Sequence, residues 1–239
     1  MNFEISIVNP YKNRLLQNKI EFSAKNVANR DTNIFLQKFD LNEDNYNEYY
    51  DENINISPLV EQIEKNTSSD AFIICCYEDS GLDFLRTLTP KTVMGVGESA
   101  FHMANLVSKN FSVITPLSRS NEAIKHNLIK YGLYNKCISI NSFEVPVIDL
   151  ETMSNSNLLK LKNEIERIKI EDYAEAIIIC GLGITKLSKK LELEFNIPII
   201  DGISASITLT ETLLKMGLKI NKLGLNNANR YMGNLSEFS

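Results

Sequence analysis

Four cysteines, Cys75, Cys76, Cys137 and Cys180, and two histidines, His102 and His126, are the side chains best suited to move a proton or attack a carbonyl near neutral pH. The histidines lie outside any HExxH pattern and away from cysteine pairs with zinc-finger spacing, which argues against a metal site. No GxSxG is present to support a Ser-His-Asp machine. Four cysteines are too few for a disulfide scaffold, and adjacent Cys75 and Cys76 would bridge poorly because disulfide geometry is restrictive. Reduced-thiol chemistry is what remains, and Cys76 is the thiol best placed for it. It ends an apolar strand and precedes a turn and helix, the crevice where α/β proteins bind ligands. A helix N-terminus there should lower its pKa. Cys75 points to the opposite face of the same strand and reads as core, as does Cys137 within CISI.

Positioning such a thiol requires strands and helices in alternation. Short apolar runs, ISIV, FIIC, TVMGV, FSVIT, CISI, AIIIC and IPII, are separated by longer stretches of helical period, the mark of successive βα units around parallel sheets. Between Arg119 and Tyr131, Ile124, Leu128 and Ile129 define an amphipathic helix that Gly132 should stop. The polar stretch from Asn29 to Asn55 carries an expected edge strand around IFLQKF, and the Asn-rich tail after Leu218 reads as a solvated connection.

The chain also resembles itself. AIIICGLGIT, starting at Ala176, repeats AFIICCYEDS, starting at Ala71, at an offset of 105 residues. At that offset Gly97, Ser99 and Ala100 fall on Gly202, Ser204 and Ala205, while ISIVNP falls on FSVITP at an offset of 106. Repeated segments in the same order predict an α/β fold of two similar, pseudo-twofold related lobes, each a mostly parallel sheet flanked by helices, with a cleft between them. The expected division is residues 1–97 with 206–239 in one lobe and 98–205 in the other. The register sets Cys76 against Gly181 and Cys75 against Cys180. Because a one-residue slip reverses the face of a strand residue, Cys180 reaches the cleft only if its strand ends early or a bulge re-aims it; otherwise it is a core thiol.

A net charge of −5 without a basic stripe argues against nucleic acid as a partner. No apolar run approaches the roughly 18 residues needed to cross a bilayer, and MNFEISIVNP lacks a cationic leader, so a cytoplasmic protein off the membrane is expected. A small molecule is the expected partner, and homo-oligomerisation is left open.

CCYEDSGLD at Cys75, VGESAFHMA at Val96, FSVITPLSRS at Phe111, VPVIDL ending at Leu150 and IPIIDGISAS ending at Ser206 resemble the aspartate/glutamate/hydantoin racemase superfamily, most closely its hydantoin and allantoin racemase branch. The resemblance implies an isomerase without pyridoxal phosphate or any other cofactor. Two thiols across the cleft would remove and return the proton alpha to a carbonyl, and backbone N–H groups would stabilise the enolate. By that resemblance Cys76 is the first catalytic cysteine. The second position is Gly181, one residue beyond Cys180. Asn9 is retained from an Asn-Pro-Asn-Thr opening that here continues Tyr11-Lys12. The turns Tyr77, Glu78, Asp79 and Gly181, Leu182, Gly183, with Thr115 at the mouth of a third strand, are the implied substrate contacts. Glu78 stands where relatives commonly carry glycine; it would raise a nearby thiol's pKa or select a cationic group. His102 faces either the cleft or the helix surface. A one-thiol isomerase or lyase of the same fold, and a binding protein that has lost half the machinery, are the alternatives to a racemase or epimerase.

Overall fold

The computed structural model describes residues 2–10, 13–37, 56–145 and 153–219. Tyr11, Lys12, most of VPVIDL and the Asn-rich tail from residue 220 lie outside them.

All seven expected strand runs form strands, and the edge strand completes a set of eight among the described residues. β1 (Phe3–Val8), β2 (Thr32–Leu36), β3 (Ala71–Ile74) and β4 (Thr92–Gly95) build one sheet in the order β2-β1-β3-β4. β5 (Phe111–Thr115), β6 (Cys137–Ser142), β7 (Ile177–Ile179) and β8 (Ile199–Ile200) build a second in the matching order β6-β5-β7-β8. Every pairing is parallel. Parallel strands are covered on both faces, which is why β3 and β7 read as unbroken apolar runs rather than alternating ones.

The helices are α1 (Arg14–Val27), α2 (Ser57–Lys65), α3 (Leu82–Leu88), α4 (Val96–Val107), α5 (Asn121–Lys130), α6 (Asn155–Arg167), α7 (Thr185–Phe195) and α8 (Gly202–Lys215). The helix expected near Arg119 is α5, entered through a 3₁₀ turn at Ser118–Ser120. Gly132 ends it at φ +73°, its N–H bonded to Ile129 and that of Leu133 to Leu128, the two bonds of a Schellman cap.

Strand alternation sorts the core into three parts. Ile5, Ile7, Ile73 and Cys75 of the first sheet, with Val113, Ile178 and Cys180 of the second half, face a shared core. Phe72, Ile74 and Cys76 face an outer core closed by Leu59 and Ile63 of α2 and by Leu82 and Leu85 of α3. Ile177 and Ile179 face the corresponding outer core under α6 and α7, among Leu161, Ile165 and Leu191. Two helices fill the shared core crosswise. α4 continues from β4 of the first sheet yet lies on β7 and β8 of the second; α8 continues from β8 yet lies on β3, β4 and α1. The two also pack on each other.

Strand registers test the internal repeat residue by residue. Ser6 pairs with Phe72 and Ser112 with Ile177; the N–H of Cys75 bonds to Val8 and that of Cys180 to Ile114. Cys75 therefore corresponds to Cys180, and Cys76 to Gly181, as the repeat predicts. Beyond β7 the correspondence slips. Phe72 pairs with Val93 but Ile177 with Ile199, and α4 begins at Val96 where α8 begins at Gly202. One residue separates the halves there, so Gly202 corresponds to Val96 rather than to Gly97.

Candidate active site

Beyond Ile74 the chain leaves the first sheet and closes a turn in which the Asp79 N–H bonds to the Cys76 carbonyl at 3.1 Å. Cys76 is 0% exposed, packed among Val8, Leu82 and Leu85 of the outer core. Its S–H donates to Glu78 Oε2 at 3.1 Å, and the Ser80 hydroxyl lies 3.9 Å from the sulfur. Burial pushes the thiol well above its ordinary value, and the Glu78 charge and hydrogen bond push it further, against a smaller downward pull from the Ser80 backbone. The open, helix-activated thiol expected from the sequence is thus closed off, with its ionised form disfavoured, because the turn folds a carboxylate over it.

The next two side chains hold the turn in place. Asp79, at φ +48°, accepts from the Gly97 and Glu98 N–H groups at 3.1 and 2.6 Å, capping α4 from another loop, and from the Tyr131 hydroxyl at 2.9 Å. Burial raises its pKa to about 7 despite those donors. The Tyr77 hydroxyl crosses between the halves, donating to the Ile179 carbonyl at 2.9 Å and accepting from the Gly202 N–H at 2.7 Å. Asp201 caps α8 through the Ser204 N–H at 2.9 Å. The N–H groups of Gly97, Glu98, Gly202 and Ser204 are therefore engaged by the protein's own side chains. Replacing Tyr77 by phenylalanine leaves Ile179 its second donor, the Gly181 N–H at 2.8 Å, but orphans the buried Gly202 N–H. The expected cost is about 2 kcal/mol, seen as a fall in melting temperature of roughly 6 °C. An unchanged melting temperature would show that this tie contributes nothing.

In the second half, β7 stops at Ile179 and the Gly181 N–H turns back to the Ile179 carbonyl, a three-residue γ-turn centred on Cys180. This is the early strand end that the sequence requires for Cys180 to reach the cleft. Cys180 packs into the shared core and also lines the cleft between the halves. Burial, then the Glu78 charge, raise its pKa. Cys180, Leu182 and Thr115 form one wall; Tyr77 and Glu78 form the other. Thr115 is fully buried, with its hydroxyl 2.6 Å from Asn121 Oδ1. The space between the two walls is about 30 Å³ and partly open.

The other expected contacts sit elsewhere. Asn9 is buried at the end of β1, its backbone bracketed by the Gln62 side chain at 3.2 and 3.3 Å, and does not line this cavity. A side chain at Gly181 would meet Ile184 at 2.9 Å; one at Gly183, at φ +69°, would meet Lys19 at 2.7 Å. Both glycines make room for neighbours rather than contact the cavity. His102 is exposed on α4 beside the Tyr131 ring, and Glu98 pairs with Arg86 at 2.6 Å. Residues that the sequence pattern did not single out include Asn127, which donates to the Glu78 carbonyl at 2.6 Å, and Tyr131. With Ile124 they form one stripe of α5, and that spacing was the available signal. Among the described residues, no group of three or more His, Cys, Asp or Glu could hold a metal ion, and no helix is long and apolar enough to cross a membrane.

A family model described as Asp/Glu/Hydantoin racemase matches residues 20–210. A hydantoin racemase of Pseudomonas sp. (strain NS671) is 32% identical over 92% of this chain and 89% of its own. The structure of an allantoin racemase from Klebsiella pneumoniae superposes with a TM-score of 0.84 at 30% identity, over 93% of this chain and 92% of that one. A glutamate racemase from Bacillus anthracis shares the fold at a TM-score of 0.67 and 14% identity, over 90% of this chain and 82% of its own.

Proposed function

Because the chain belongs to the Asp/Glu/hydantoin racemase family, we propose that it is a cofactor-independent racemase of a cyclic ureide, acting at the ring carbon alpha to a carbonyl. Similarity to hydantoin racemases and to an allantoin racemase over nine-tenths of the chain supports that substrate class. The observation that carries the reading is the cleft itself. Two like lobes bring Glu78, the hydrogen-bond partner of the Cys76 thiol, from one turn and a second thiol, Cys180, from the other to the walls of one small space. Cys76 and Cys180 are the thiols of this proton-transfer site, with Thr115 and Leu182 shaping the wall around Cys180. The lobes divide at residues 1–97 with 206–239 and at 98–205, as the crossed packing of α4 and α8 supports.

Loss of an alpha proton leaves an enolate whose carbon can be reprotonated on either face, so turnover in D₂O must label that carbon. Wild-type protein is expected to incorporate one deuterium into 5-substituted hydantoins or allantoin, and to erase their optical rotation, faster than buffer alone. Mass spectrometry and polarimetry follow the two. No incorporation across a panel of both ureide types would overturn the proposed function.

A further inference from the structure

Of the pair on the first lobe, only the carboxylate meets the cleft. Cys76 has no exposed surface and lies in the outer core, while Glu78 forms part of the cleft wall facing Cys180. The turn holds Glu78 there through its main chain, whose carbonyl takes the Asn127 hydrogen bond from α5, and this leaves the carboxylate to the thiol and the cleft. Two acidic groups 3.1 Å apart in a buried turn do not ionise together. Burial, and then the Glu78 charge and hydrogen bond, hold the proton on the Cys76 sulfur. Tyr77 and Asp79 on the same turn, Tyr131 capping α5, Arg119 on the 3₁₀ turn and Cys180 just beyond β7 are the other titratable or charged groups around the pair.

We propose that Glu78 is the first lobe's catalytic base, with Cys76 as the buried donor that orients its carboxylate. The proposal rests on reading the cleft as a site of alpha-proton transfer, but moves the accepting atom from sulfur to oxygen. The substrate C–H bond breaks, its proton forms an O–H bond on Glu78, and the electron pair passes into the adjacent carbonyl as an enolate. Cys180 then gives its S–H proton to the opposite face and becomes a thiolate. Solvent takes the proton from Glu78 and returns one to Cys180 before the next turnover in the same direction. Glu78 thereby supplies the base from the first lobe while the second lobe supplies the Cys180 thiol.

Three variants decide the assignment. Glu78→Gln keeps the shape and an acceptor for the thiol but cannot take a proton, so kcat for deuterium exchange should fall by at least about 100-fold with little change in KM. Cys76→Ser keeps a donor to the carboxylate and should lose less than Glu78→Gln, and Glu78→Asp should recover part of the loss. Exchange surviving in Glu78→Gln but abolished in Cys76→Ser would overturn the proposal and return the proton to sulfur. A reading independent of substrate is the pH dependence of Cys76 alkylation mapped by mass spectrometry. Removing the Glu78 charge makes the thiol easier to ionise, so labelling at a fixed pH below the thiol's midpoint should speed up about tenfold, in step with the thiolate fraction. Should the wild type exchange no ureide proton, the proposed function falls while this measurement still decides the pair, and an unchanged profile in Glu78→Gln would overturn it.

Discussion

Replacing Cys76 by alanine should slow alpha-proton exchange on a cyclic ureide by at least about 100-fold while leaving the fold intact. The sulfur is fully buried and donates to Glu78, so alanine removes the donor that sets the carboxylate's position as well as the thiol itself. What it leaves behind is a void of about one atom, which costs on the order of 1 kcal/mol and lowers the melting temperature by only about 3 °C. The two measurements, exchange by mass spectrometry and thermal unfolding, separate chemistry from stability. An alanine variant that exchanges at the wild-type rate would remove Cys76 from the proton-transfer site under either assignment of the base.

Gly97→Ala is expected to be strongly destabilising, at about 3 kcal/mol or more, with a fall in melting temperature of roughly 6 to 12 °C. Helix propensity alone favours alanine at this first-turn position. The added carbon would, however, lie 2.2 Å from the Tyr77 carbonyl oxygen and 2.8 Å from Asp79 Oδ2. Neither neighbour can yield: one is backbone, and the other is fixed by the Gly97 and Glu98 N–H groups and by Tyr131. Gly132→Ala is the contrast, since nothing lies within 4 Å of its added carbon and only its φ of +73° opposes it; that costs about 1 kcal/mol. A Gly97→Ala protein as stable as Gly132→Ala would show that the turn can retreat from α4.

The fold was legible in the sequence where local pattern decides structure. Buried parallel strands are predominantly apolar, so ISIV, FIIC, FSVIT and AIIIC announced themselves, and the matching strand orders follow from the repeat that contains them. The site was legible only in part. Counting faces along AIIIC assigns Cys180 to the core, but the face rule lapses once β7 stops at Ile179 and a γ-turn takes over. The offset that aligned Gly97 with Gly202 compared residue types, whereas hydrogen-bonded registers shift the comparison by one residue. Tyr77 and Asp79 follow the cysteine and are expected substrate contacts, but the sequence does not show what else they hold. Their partners, Gly202 and the pair Gly97 and Glu98, lie far along the chain and appear only once the lobes are assembled.

The crossed placement of α4 and α8 bears on how such a molecule can be built at all. Each half ends in a helix whose apolar face belongs to the other half's sheet. A half-length chain of this design would leave that helix without its sheet, and would bury it only by lending it to a second copy and accepting one in return. Joining two such copies head to tail turns the exchange into an encounter within one chain, at the high effective concentration of a tether. Once joined, the copies are free to diverge at equivalent positions. A thiol at Cys76 facing a glycine at Gly181, and a carboxylate at Glu78 on one side alone, are asymmetries that a pair of identical halves could never hold.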